Sequence, residues 1–245
     1  MVAAELQRYN IDIAALSETR LSDEGSLSEV GGGYIFFWKG HPTDSPHIHG
    51  VGFAVRSSLL PSLTESPVGI SEHLMSMRIP LTRGRFTMLL SAYAPTLDSS
   101  DEEKSIFYAA LRSTLQHVPR ADKLLVLGDF NARVGANHQV WQTVIGRHGV
   151  VKATTSLRLL EVCSEFSLCI TNTMFQLQNK FKISWMHPRS KHWHLIDFVI
   201  VRRSDLRDVK ITPNMQWYRL LDRSPTHPWP AQHRCLPSLT HEAAL

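Results

Sequence analysis

Cysteine is scarce in this 245-residue chain: Cys163, Cys169 and Cys235 are all it has, an odd number with no Cys-x-x-Cys spacing. That composition indicates neither a disulfide framework nor a cysteine-based structural zinc site. Long apolar runs are missing as well. No stretch approaches the roughly 18 consecutive apolar residues of a membrane-spanning helix, and the N-terminus has neither the basic start nor the apolar middle of a secretory signal. An intracellular, reducing compartment with no membrane partner is the expectation. There is no internal repeat or low-complexity tract, which removes solenoids and arrays. Charge imbalance is slight: 26 Lys and Arg against 22 Asp and Glu give a formal net charge of +4, compatible with a polyanionic partner but not requiring one.

What is present is an ordinary globular composition, 43% hydrophobic and 20% charged, long enough for one domain with a substantial core. The chain turns on Lys123 to Gly135, where the apolar run Leu124-Leu125-Val126-Leu127 stops at Gly128 and is followed by Asp129 and Asn131. A run without polar alternation reads as a strand covered on both faces. Asp129 and Asn131 are one strand period apart, so continued extension points both side chains the same way, and Phe130 back into the core. A simple turn is the competing reading of Gly-Asp-x-Asn.

Taken in order, Val2 to Tyr9 predicts a short amphipathic helix and Ile11 to Leu16 a strand ending in Ser17-Glu18-Thr19-Arg20, a second carboxylate at a strand end. Strands follow at Gly33 to Trp38 and Val51 to Val55. The loop between them holds His41, His47 and His49, but it lacks zinc spacing and any nearby cysteine, so it reads as a surface loop. Leu74 to Ile79 and Phe86 to Leu90 flank Arg83-Gly84-Arg85 as a hairpin, and Tyr93 closes the second strand just before Pro95, placed like Glu18 and Asp129 or simply packing. Ser100 and Glu103 have capping-box spacing ahead of a helix to Val118. A second helix spans Ser156 to Phe166, and a strand Leu168 to Thr171.

Ser184 to His194 mixes Trp185, Arg189 and Lys191 with further aromatic and basic residues on an apparently irregular loop. Such a mixture suits phosphate neutralisation and base stacking, or is an exposed loop anchored by Trp185. Leu195 to Val201 then reads as an apolar strand with Asp197 inside it, and a buried charge needs a partner. From Pro213 onward prolines interrupt tryptophans and histidines, and no core strand can be placed. Residues 1–211 are therefore read as the domain and 212–245 as a divergent tail of poor order.

Glu18, Tyr93, Asp129, Asn131 and Asp197 at strand ends suit metal-assisted phosphodiester hydrolysis: carboxylates favour Mg²⁺, and an amide or phenol can hold phosphate oxygens as charge builds. Ser-Glu-Thr-Arg at 17 to 20, Ser-Ala-Tyr-Ala-Pro at 91 to 95, Gly-Asp-Phe-Asn at 128 to 131 and Leu-Ile-Asp-Phe at 195 to 198 together resemble the ordered motifs of the endonuclease/exonuclease/phosphatase superfamily. Ala14 to Arg20, Lys123 to Gly135 and Trp185 to Val209 resemble more closely the endonuclease domains of RTE/BovB-type non-LTR retrotransposons and craniofacial development protein 2-like proteins.

The resemblance implies an α/β fold, a four-layered α/β/β/α sandwich of two mixed sheets. It implies Glu18 as ligand of Mg²⁺, replaceable by Mn²⁺; Asp129 as the residue that positions or activates water; Asn131 and Tyr93 as contacts to phosphate; and Asp197 as the residue that orients a histidine. DNA is the implied substrate, nicked by a monomeric nuclear hydrolase. Active members also begin with an Asn-bearing strand and end with Ser/Thr-Asp-His. This chain starts after the first, and no Asp-His pair follows Asp197. The expectation is therefore a fold lacking its first and last catalytic strands, with impaired nuclease activity. The alternatives are a catalytically inactive module binding nucleic acid or protein, and a phosphatase for small phosphate esters.

Overall fold

The computed structural model describes residues 2–29, 31–44, 49–150, 157–178, 181–187 and 189–209, and the backbone of 235–239. Helix α1 (Val2–Arg8) leads into β1 (Ile13–Ser17), β2 (Glu24–Glu29), β3 (Tyr34–Lys39), β4 (Val51–Arg56), β5 (Val68–Ser71), β6 (Leu74–Pro80) and β7 (Phe86–Tyr93). Helix α2 (Asp101–His117) crosses to β8 (Lys123–Asp129), and α3 (Leu157–Glu165) precedes β9 (Leu168–Ile170). The order closes with β10 (Trp185–Met186), β11 (Trp193–His194), β12 (Asp197–Arg202) and β13 (Cys235–Leu239). One sheet runs β13-β1-β4-β3-β2 and the other β5-β6-β7-β8-β12-β9.

Strand periodicity makes four layers of these parts. In β8, Leu124 and Val126 join Phe107, Leu111 and Leu160 in the core under α2 and α3. Leu125 and Leu127 on the opposite face meet Ile13, Phe53 and Val55 between the sheets. Outside the first sheet, Ala3 and Leu6 of α1 pack with Ala14, Tyr34 and Ala54. A strand apolar on both faces is what that middle position demands.

The β7–α2–β8 unit is a parallel crossover, and α2 starts where its sequence says: the Ser100 side chain accepts from the Glu103 N–H and Glu103 returns to the Ser100 N–H, satisfying two orphan donors. The start of β8 is held just as firmly. Arg78 grips the buried Asp122 with Nε at 2.7 Å and Nη2 at 3.2 Å, while its guanidinium lies 3.7 Å over the Phe86 ring. Arg202 donates to the carbonyls of Val118, Pro119, Arg120 and Asp122, fixing the connection from α2.

The strands β2, β5 and β13 depart from expectation, each for a physical reason. The β2 and β5 strands lie at sheet edges and are polar or half exposed, so they lack a core-facing alternation. The third is β13, in a segment whose sequence predicts no strand. Its backbone pairs antiparallel with β1, Ile13 opposite Leu239 and Leu16 opposite Cys235, with a register shift between. Pro237 falls in that shift on an edge strand, the setting in which a residue without an N–H is tolerated. The rest of the expected tail, and Ser156 at the expected start of α3, lie outside the described residues.

Gly128 sits opposite Ala92 of β7 and Phe198 of β12, and a Cβ at this position would run into the Ala92 carbonyl and its backbone. Gly128→Ala is therefore expected to destabilise the fold by about 1–3 kcal/mol through overpacking. Urea denaturation checks this; a change below about 0.5 kcal/mol, the range of neutral surface substitutions, would show that β7 and β8 separate freely.

Candidate active site

Register brings the expected residues together. Tyr93 is the Cα partner of Asp129 in the parallel β7–β8 ladder, and Asp129 is the partner of Asp197 in the antiparallel β8–β12 ladder. The three form one row across adjacent strands. Each shares the parity of residues that face the other sheet, Leu89 for Tyr93, Leu127 for Asp129 and Val199 for Asp197, so the row points toward the inter-sheet side at the strand ends. All three are buried, with relative exposures of 4%, 1% and 5%. Asp197 opens β12 rather than lying inside it, which corrects the expected strand: Leu195 and Ile196 belong to the approach.

Glu18 comes to this row from the facing sheet. The β1 strand ends at Ser17, and Glu18 and Arg20 then take left-handed backbone conformations, φ 54° in each, which are uncommon for non-glycine residues and concentrate at functional sites. The turn is held by backbone bonds from Thr19 to Gly50 and from Arg20 to His49. Glu18 Oε1 accepts from the Tyr93 hydroxyl at 3.3 Å, and its Oε2 pairs with Arg20 Nη2 at 3.3 Å.

On the other side, Asp129 Oδ1 accepts from the Asn131 N–H at 2.8 Å, an Asx turn. Asn131 is also left-handed, φ 45°, so the strand does not simply continue. Its side-chain amide donates to the Ala94 carbonyl at 2.8 Å, while Phe130 turns to the helix-side core. The Tyr93 phenol is pushed well above its ordinary pKa, first by burial and then by the charges of Glu18 and Asp129, with Asn131 opposing. Tyr93 therefore stays a neutral hydrogen-bond donor at physiological pH.

Several contributors carried no signal in their spacing. Asn172, in the turn after β9, accepts from the Val199 N–H at 2.8 Å and donates to the Asp197 carbonyl at 3.4 Å, and Ser184 Oγ accepts from the Ile196 and Asp197 N–H groups. Together they fix the start of β12. His73 accepts the Tyr93 N–H at its carbonyl and places Nδ1 2.6 Å from the Tyr93 carbonyl, with the two rings stacked 5.9 Å apart.

The segment expected to be an irregular loop is a small hairpin, β10 paired with β11. His187 Nδ1 accepts from the Arg189 and Ser190 N–H groups, which tightens its tip. Trp185 is half-buried against His187 and His194, and Trp193 across the hairpin is 37% exposed. Arg189 and Lys191 are exposed. The hairpin leads directly into Asp197, and burial, followed by the charge of Arg133 just beyond Asn131, lowers the pKa of its His194.

Carboxylates are the right kind of donor for a hard divalent cation, although among the described residues no three acidic, imidazole or thiol side chains already stand as a ligand set. Residues 1–230 match the model of the Endonuclease/Exonuclease/phosphatase family. Over 217 residues the chain is 29% identical to craniofacial development protein 2 of Bos taurus, covering 87% of this chain and 35% of that protein, so it spans about a third of the relative's length. Among solved structures, the endonuclease domain of TRAS1, a telomere-specific non-LTR retrotransposon, aligns with TM-score 0.52 at 14% identity, covering 86% of this chain and 81% of that one. D. rerio TDP2 complexed with single strand DNA product aligns with TM-score 0.51 at 11% identity, covering 82% and 74%. At these identities the solved structures establish a shared fold, a two-sheet α/β sandwich. With the family model matched over most of its length, the chain belongs to the Endonuclease/Exonuclease/phosphatase family.

Proposed function

We propose that the chain is a Mg²⁺-dependent, DNA-nicking endonuclease domain of retrotransposon-derived lineage, working as a nuclear monomer at reduced rate. The observation that carries this reading is the row Tyr93–Asp129–Asp197 with Glu18 reaching it from the second sheet. Residues 1–211 carry the function, joined by the single strand β13. The TRAS1 neighbour is an endonuclease domain and the TDP2 neighbour holds a DNA product, which supports DNA as the substrate class.

Glu18 would hold the divalent ion, Mg²⁺ or Mn²⁺, which when bound neutralises charge on the phosphate. Asp129, buried and fixed by the Asn131 N–H, accepts a proton from or orients the attacking water. Asn131 and the neutral Tyr93 phenol donate to phosphate oxygens as negative charge grows on them. Asp197 supports the row from β12. The residues after Asp197 in this sequence include no Asp-His pair, and a reduced rate follows where one group of a cooperating unit is absent.

Slow conversion of supercoiled plasmid to the nicked form is expected, requiring Mg²⁺ and falling about 10²-fold or more in Asp129→Ala, the range for loss of an acid–base group. Nicking unaffected by Asp129→Ala in a folded sample would sink the assignment.

The exposed basic hairpin favours a second reading, a nucleic-acid-binding module without catalysis. If Arg189 and Lys191 neutralise phosphates, their joint replacement by Ala weakens duplex binding and flattens the salt dependence by roughly 0.9 in log–log slope for each phosphate no longer neutralised. An unchanged slope would remove the hairpin from the binding surface.

A further inference from the structure

Tyr93 ends β7 where the ladder to β6 runs out. The register pairs Leu74 with Ala92, so His73, in the turn between β5 and β6, stands opposite Tyr93. Opposed residues of a hydrogen-bonded antiparallel pair exchange two bonds, each N–H going to the other's carbonyl. Here the backbone supplies only half of that exchange: the Tyr93 N–H donates to the His73 carbonyl at 2.9 Å, but the His73 N–H is given to Ser71 Oγ at 3.2 Å inside the turn. The imidazole takes the vacated role, with Nδ1 2.6 Å from the Tyr93 carbonyl. A carbonyl only accepts, so Nδ1 carries the proton.

The ring that makes this bond is itself held. Its side chain is 15% exposed; it stacks on the Tyr93 ring at 5.9 Å and 25°, meets Phe107 of α2 edge-on at 6.0 Å, and has the His49 ring 4.6 Å away. Burial lowers the pKa of His73 against the opposing effect of its bond to Tyr93, which leaves a neutral donor at physiological pH. On the other side of β7 the Ala94 N–H donates to the Asp129 carbonyl at 2.8 Å. Pro95 follows and has no N–H to secure the chain further. The end of β7 is thus gripped by β8 on one side and by His73 on the other, and from this point Tyr93 sends its hydroxyl to Glu18 across the sheets.

We propose that His73 is a positioning residue for Tyr93: its Nδ1–H and its stacked ring fix the strand end from which the phenol is presented to a phosphate oxygen. The inference rests on the reading of Tyr93 as a phosphate contact. His73 touches no reacting group, and its effect passes through Tyr93. Side-chain length separates the hydrogen bond from the filling of space. Asn carries an N–H the same number of bonds from the backbone as Nδ1, Gln carries one a bond further out, and Leu carries none.

Steady-state nicking of supercoiled plasmid is the first measurement. His73→Leu is expected to lower kcat at least about tenfold, toward the roughly 10²-fold cost of a group misplaced by about 1 Å, with KM for the plasmid within about twofold. His73→Asn restores kcat to within about threefold of the wild type and His73→Gln does not; Gln stands in for Leu if the circular dichroism of the Leu variant departs from the wild type. In a Tyr93→Phe background His73→Leu changes kcat by less than about twofold, because a residue acting through the phenol has nothing left to position. The second measurement needs no activity. With meta-fluorotyrosine incorporated, the fluorine resonance of Tyr93, identified by its loss in Tyr93→Phe, is expected as one sharp line in the wild type and His73→Asn, and broadened or split in His73→Leu. Absence of Asp129-dependent nicking in the wild type removes the nuclease reading and leaves the fluorine resonance to decide the clamp. A Tyr93 line as sharp in His73→Leu as in the wild type, an undiminished kcat, or an equal loss in the Tyr93→Phe background would each overturn the proposal.

Discussion

The register between β7, β8 and β12 is the constraint on which the site depends, because strand side chains alternate and a slip of one residue sends the whole row to the helix side. Gly128 makes that register possible. It lets the backbone of β7 approach β8 where a methyl group would meet Ala92, and it does so one residue before the carboxylate. The other end of β8 is locked by Arg78 and Arg202 on Asp122 and the preceding carbonyls. A strand pinned at its start and tightly packed near its end delivers Asp129 to a fixed place. Core packing on both faces, Leu124 and Val126 toward the helices and Leu125 and Leu127 toward the other sheet, then resists sliding.

The second sheet contributes through a different device. Glu18 does not reach the row by extension of β1 but by a left-handed turn, with Thr19 and Arg20 hydrogen-bonded to the residues that enter β4. Left-handed backbone at Glu18, Arg20 and Asn131 costs of order 1–3 kcal/mol each, and all three are candidate-site residues or their immediate support. The Tyr93 to Glu18 hydrogen bond joins the sheets across the gap. The site is thus a meeting of two sheet ends, each entering it through a left-handed turn.

Much of this is legible in the chain. The apolar run before Gly128, the Ser100/Glu103 box and the carboxylates at strand ends are local patterns with local causes, and they place α2, β1, β8 and the residues Glu18, Tyr93, Asp129, Asn131 and Asp197. What cannot be read depends on partners far away in sequence. The polar edge strand β2 and the proline-bearing β13 exist because a neighbour offers hydrogen bonds, which leaves no periodic trace. Asn172 is an ordinary turn asparagine until β12 lies beside it. His73 and Glu72 carry no periodic signal, and only the fold sets His41 and His49 near them. Trp185, singled out by its residue type, is half-buried against His187 and His194, while its hairpin neighbour Trp193 is more exposed.

Stability alone would not arrange Asp129 and Asp197 as they are. Like charges at directly opposed positions of antiparallel strands repel, and burying a carboxylate costs several kcal/mol before any compensation; here two of them oppose each other with almost no exposure. Hydrophobic side chains of similar size at both positions would continue the Leu125–Leu127 and Val199–Val201 stripes without that cost. A chain that obeys packing rules along the rest of these strands, then breaks them at the one row where Tyr93 also carries a raised phenol pKa, departs from those rules where chemistry is expected to sit. Asp122, another buried acid just ahead of the same strand, is bonded bidentately to Arg78, an ion pair that accounts for its burial.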